Sequence, residues 1–147
     1  MIAAALTGGV VSLGVALLTI APGQDRQMRL EQLTEFSTTA DDVLGLGTEF
    51  VAKINVQQDL GDTKLAISRA SAKQAIAAES LVDVFGPTVE DEARGYQAAL
   101  IAFVESTNRL QGPDGIREWV VSFDELRTAQ RNLKSSMRGV LQIAQAQ

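Results

Sequence analysis

The chain has 147 residues, with 13 Lys and Arg against 18 Asp and Glu, a net charge of −5 and a pI near 4.7. It contains no Cys and no His, which excludes disulfides, thiolate metal sites, His-ligated zinc and haem, and every Ser-His or Cys-His pair. The acidic balance offers no basic face for phosphate and argues against nucleic acid as a partner.

The first element is apolar. Residues 2–21 read IAAALTGGVVSLGVALLTIA and carry no charge; a helix of that length rises about 30 Å, the thickness of a bilayer's hydrocarbon core. A cleaved signal peptide is the rival explanation. It needs a basic start, which is missing, and its only plausible cut, after Ala21, would place Pro22 next to the cleaved bond. The segment 1–23 is therefore expected to be an uncleaved transmembrane anchor. Within it Ala4, Gly8, Ser12 and Ala16 recur every four residues, a stripe of small side chains that lets two membrane helices approach closely. The expected partner is another membrane protein or a second copy of the chain. Orientation draws on opposing signals. Arg26 and Arg29 after the span favour a cytoplasmic bundle by the positive-inside rule, but long domains translocate largely regardless of charge. An extracytoplasmic (periplasmic) bundle is expected.

Pro22, Pro87, Pro113 and Gly61-Asp62 divide the remainder into four blocks, because Pro cannot continue a helix without losing a hydrogen bond. Each block shows apolar residues spaced alternately three and four apart. Block one carries Leu33, Phe36, Ala40, Val43, Gly47, Phe50 and Ile54. Block two carries Ile67, Ala70, Gln74, Ala77, Leu81 and Val84. Block three carries Val89, Ala93, Tyr96, Leu100, Phe103, Thr107 and Leu110. Block four carries Ile116, Trp119, Phe123, Leu126, Gln130, Leu133, Met137, Val140 and Ala144. The pattern predicts helices over 24–60, 63–86, 88–111 and 115–145. Short joints make neighbouring helices antiparallel. The fold class expected is all-α: one N-terminal transmembrane helix, a helical stalk over 24–35, and an antiparallel up-down four-helix bundle over 36–147 with left-handed heptad packing. Thr88 and Asp114 are the expected N-caps of blocks three and four. Ser122-x-x-Glu125 spells a capping box, but the heptad runs through it and one continuous helix is expected.

Few residues suggest chemistry. Gln74 and Gln130 sit in apolar seams, where one buried polar group ordinarily sets register. Counted from the joints, Gln74 should face Gly47, and a small polar pocket formed by Gly47 and Gln74 is the sharper alternative. Glu79, Asp83, Glu90, Asp91 and Glu92 should gather at the membrane-facing end with Arg131, Lys134 and Arg138. A solvated ion network explains them, with a divalent-cation site as the alternative. Asp41-Asp42 is the only carboxylate pair resembling an acid/base dyad, yet adjacent helical residues point about 100° apart. At the far tip, Trp119 belongs to the seam, and Val120 and Val121 turn outward.

No cofactor, metal site or enzyme activity is expected. The function expected is that of a single-pass, membrane-anchored interaction or scaffold protein, an accessory subunit of a membrane complex. A second expectation is an extracytoplasmic ligand-sensing bundle with a separate signalling partner. In outline it resembles the four-helix sensor domains of bacterial chemoreceptors, a resemblance of architecture without a shared motif. A membrane-tethered phage lysis or envelope protein is a third, resting on size and layout.

Overall fold

The computed structural model describes residues 22–143. Among them are four α-helices and no strand: α1 Pro22–Asn55, α2 Gly61–Phe85, α3 Glu90–Arg109 and α4 Ile116–Ile143. A 3-10 turn, Pro87–Val89, leads into α3. Apart from 22 and 23, the expected anchor over 1–23, with Ala4, Gly8, Ser12 and Ala16, lies outside the described residues, as does Ala144. Among the described residues no helix is long and apolar enough to cross a membrane.

Each helix packs on the next, and α4 closes back onto α1. Neighbours run antiparallel. Lys53 Nζ donates to Thr63 Oγ1 at 2.7 Å beside the α1–α2 joint, while Gln74 Nε2 donates to Thr39 Oγ1 further along both helices. The result is an all-helical bundle around one core. Its buried stripes follow the 3-4 repeat, because residues three and four apart share a helix face. On α1 the stripe is Phe36, Ala40, Val43, Gly47, Phe50 and Ile54, and from Val89 through α3 it contains every expected residue to Leu110. Each fully buried Leu or Phe contributes about 1.5–3 kcal/mol relative to exposure. The buried part of α1 begins at Phe36.

Three expectations need correction. The α2 stripe is Thr63, Ile67, Ser71, Gln74, Ala78, Leu81 and Phe85, so Ser71, Ala78 and Phe85 replace Ala70, Ala77 and Val84 at alternate steps. Those three residues are half-buried at its edge, and on α4 Ser122 and Leu141 are buried where Phe123 and Val140 were expected, those two being half-buried. Next, α1 ends at Asn55, before the expected 60. Gln57 takes a left-handed conformation (φ 55°), Gln57 N donates to Ile54 O at 3.1 Å, and Gln58 N donates to Lys53 O at 3.0 Å. That is a Schellman cap, with Gln where Gly is usual. Finally, the caps differ. Val89 precedes α3 without a side-chain cap, and Thr88 lies inside the 3-10 turn. At α4 the Pro113 and Gly115 carbonyls accept from Ile116, Glu118 and Trp119, in place of Asp114. Helix α4 does run unbroken through Ser122, whose hydroxyl bonds Trp119 O and Ser106 Oγ.

Candidate functional site

The outward faces of α3 and α4 form an open groove of about 840 Å³. Gly95, Ala98, Ala99 and Ala102 from α3, with Thr128 and Ala129 from α4, line it with short side chains. On α3 these small residues repeat at three-to-four spacing, on the flank of the buried stripe. Nothing within 4 Å would meet a Cβ at Gly95, so the groove is space that the bundle leaves unfilled. Asp91, Glu92, Asp124 and Glu125 also line it; no Lys or Arg does, although Arg127 beside it pairs with Asp124 at 3.5 Å. Hydrogen bonds from Trp119 to Thr107 and between Ser106 and Ser122 set the level of α4 against α3. At that level Asp124 and Glu125 stand beside Ala102, and Asp91 and Glu92 stand at the other end, about 15 Å away by helix rise. The groove was missed in the sequence because its small residues face away from the seam. The signal was there in Gly95, Ala98, Ala99 and Ala102.

Gln74 does line a pocket, but Gly47 does not share it. The pocket holds about 260 Å³ between α1 and α2, among Gln32, Glu35, Phe36, Thr39, Lys73, Gln74, Ala77, Ser80 and Leu81. Gly47 lies instead against the ring of Phe123 on α4. The early end of α1 moves the centre of the α1–α2 turn toward lower numbers, so Gln74 meets α1 about two turns nearer its start than Gly47.

Gln130, the second seam glutamine, is 3 % exposed and donates from Nε2 to Asp41 Oδ1 at 2.6 Å. Lys134 Nζ donates to the same oxygen at 3.1 Å. Asp41 is thus a tie between α1 and α4. Beside it, Tyr96 packs edge-on against Phe36. Burial, and secondarily the Asp41 carboxylate, raise the Tyr96 phenol above its ordinary pKa. Asp42 is exposed and does not join the tie.

The expected mixed ion network at the membrane-facing end is not assembled. Arg94 pairs with Glu90, Lys134 with Asp41, and Arg131 donates to Thr128 Oγ1. Among the described residues no group of three or more acidic side chains could hold a metal ion. At the far tip Phe50, Phe103, Trp119 and Phe123 make an aromatic cluster, with Trp119 and Phe123 stacked at 4.9 Å. Trp119 is buried, and Val120 and Val121 are exposed, as their positions after the seam predicted.

Comparison with protein-family models, with curated proteins and with solved structures gives no match.

Proposed function

We propose that this chain is a non-enzymatic, membrane-anchored interaction module, an accessory or scaffold subunit of a membrane complex. Its α3–α4 groove receives an amphipathic helix of the partner. The observation that carries this is the groove's chemistry: a floor of Gly95, Ala98, Ala99 and Ala102, carboxylates at both ends, and no basic side chain in its lining. Small residues let a third helix axis come close. The carboxylates select a helix whose basic residues lie about three turns apart, matching the spacing of about 15 Å. Helix-in-groove docking uses these elements.

The anchor over 1–23 tethers the module, and the stripe of Ala4, Gly8, Ser12 and Ala16 adds a contact within the bilayer. The 3-4 repeat supports left-handed packing of the bundle, and the bundle stands on the extracytoplasmic side. A single cysteine placed at Gln111 in this Cys-free chain tests the topology. Labelling by an impermeant reagent in whole cells is expected, and protection until lysis would reverse the orientation.

The functional test is purification of the full-length chain from gently solubilised native membranes. A stoichiometric partner is expected with the wild type and lost in the Asp124→Lys/Glu125→Lys variant. A partner retained by that variant but lost in Gly8→Ile would move the contact from the groove to the anchor.

A further inference from the structure

The pocket between α1 and α2 is separate from the groove and has a feature that helix packing does not require. Gln74 is 1 % exposed, and its Oε1 has no hydrogen-bond partner among the described residues, although its Nε2 is held by Thr39. Thr39 in turn donates to the Glu35 carbonyl at 2.9 Å, which leaves its oxygen free to accept from the amide nitrogen. Buried polar atoms are nearly always satisfied, so the Gln74 oxygen marks a place where a group from outside the chain belongs. A single water occupies roughly 30 Å³. The pocket holds about 260 Å³, close to the lower end, about 300 Å³, of small-molecule sites.

The walls bring three kinds of contact together. Phe36 and Leu81 are buried and apolar. Glu35 on α1 and Lys73 on α2 are exposed, and among the described residues neither is in an ion pair. A carboxylate thus stands on one helix and an ammonium on the other, with Gln74 and its unsatisfied amide oxygen in the same lining.

We propose that this pocket binds a small zwitterion, a compound with an ammonium group and a carboxylate on a short carbon skeleton, of which the α-amino acids are the simplest class. The ligand ammonium donates to Gln74 Oε1 and pairs with Glu35. The ligand carboxylate pairs with Lys73. The skeleton rests on Phe36 and Leu81. Because both charged walls stand on different helices, binding ties α1 to α2.

The test is calorimetric titration and thermal melting of the full-length chain in detergent, with the common α-amino acids added one at a time. For each that binds, the corresponding amine and the corresponding carboxylic acid are added as separate controls. At least one amino acid is expected to give a saturable heat and a higher melting temperature, because a ligand that binds only the folded state stabilises it. Neither half alone should reproduce the effect. Lys73→Ala and Glu35→Gln, at exposed positions that leave the fold intact, should each weaken binding about tenfold, the size of one hydrogen bond to a charged group. Gln74→Leu should abolish binding. The proposal is overturned if no amino acid binds, or if binding is unchanged by Lys73→Ala and Glu35→Gln. A Gln74→Leu variant that melts higher while no amino acid binds the wild type would assign the orphaned Gln74 oxygen to bound water alone.

Discussion

Gly47 on α1 is packed against Phe123 on α4 so closely that a Cβ added at position 47 would stand 2.5 Å from Phe123 Cε2. The ring cannot retreat freely, because it is stacked on Trp119 at 4.9 Å and lies 5.5 Å from Phe103. Gly45, one step outward on the same helix, has nothing within 4 Å of its own added Cβ. Two glycines in one turn therefore predict opposite outcomes. Replacing a helical Gly by Ala gains about 0.5–1 kcal/mol in propensity, and overpacking a filled core costs about 1–3 kcal/mol. Gly45→Ala should raise stability by the propensity gain. Gly47→Ala should lower it by about 1 kcal/mol, with a larger loss for Gly47→Val. Chemical denaturation of the two variants checks the sign of each.

The end of α1 gives a second prediction. Gln57 holds φ at 55° to close the Schellman cap, a conformation that costs an L side chain about 1–2 kcal/mol and Gly very little. Gln57→Gly should stabilise the bundle by about 1 kcal/mol, a gain partly offset by the greater freedom of Gly in the unfolded chain. Gln57→Val should destabilise it. Melting temperatures of the two variants on either side of the wild type would confirm the cap.

These residues also explain what the sequence shows and what it hides. The stripe from Val89 to Leu110 and most of that on α4 are legible because large apolar residues stand out from polar neighbours there. On α2 they do not. Ala77 and Ala78 are identical in hydropathy, and the buried Ser71 looks less suited to a core than its neighbour Ala70. The face of an Ala-rich helix is decided by its partners, so the expected stripe slipped by one residue at alternate steps. The Gly47–Gln74 pairing failed for a different reason. It depended on where α1 stops, and the stop is made by Gln57, which carries no Gly or Pro signal. The groove on α3 and α4 was hidden because its small residues lie outside the seam, and small residues on an outer face attract notice only when a neighbouring helix shares them.

Polar atoms in the tip core supply a third prediction. Trp119 Nε1 donates to Thr107 Oγ1 at 2.9 Å, and Thr107 Oγ1 donates to Phe103 O at 2.8 Å. Both side chains are buried. Thr107→Val keeps the shape but leaves the indole N–H without an acceptor, which costs about 1–3 kcal/mol. Thr107→Ser keeps the acceptor and should cost less. A Thr107→Val variant as stable as wild type would show that the indole finds another acceptor.

Tyr96 makes stability depend on pH at the alkaline end. Its pKa is raised in the folded state by burial and then by Asp41, whereas in the unfolded chain it sits near about 10. The neutral phenol is therefore the form that the fold favours. The stability tied to this group is fully present below about pH 10 and is lost as pH rises from there toward the folded-state value. The stability difference between wild type and Tyr96→Phe should be flat below about pH 9 and should shift in favour of the Phe variant above about pH 10. Asp41→Asn should reduce that shift, since it removes the carboxylate while keeping an acceptor for Gln130. Unfolding curves at matched ionic strength read both effects.

Docking of a partner helix in the α3–α4 groove is read by site-specific photo-crosslinking from Ala98 in native membranes. Ala98 lies in the groove between its two acidic ends, and Ile76 on the outer face of α2 is exposed and serves as the control position. Groove docking predicts one adduct from Ala98 and none from Ile76. The crosslinked segment should be helical with basic residues about three turns apart, and the adduct should be lost in Asp124→Lys/Glu125→Lys. An adduct of equal yield from Ile76, or one from Ala98 that survives the charge reversal, would contradict it.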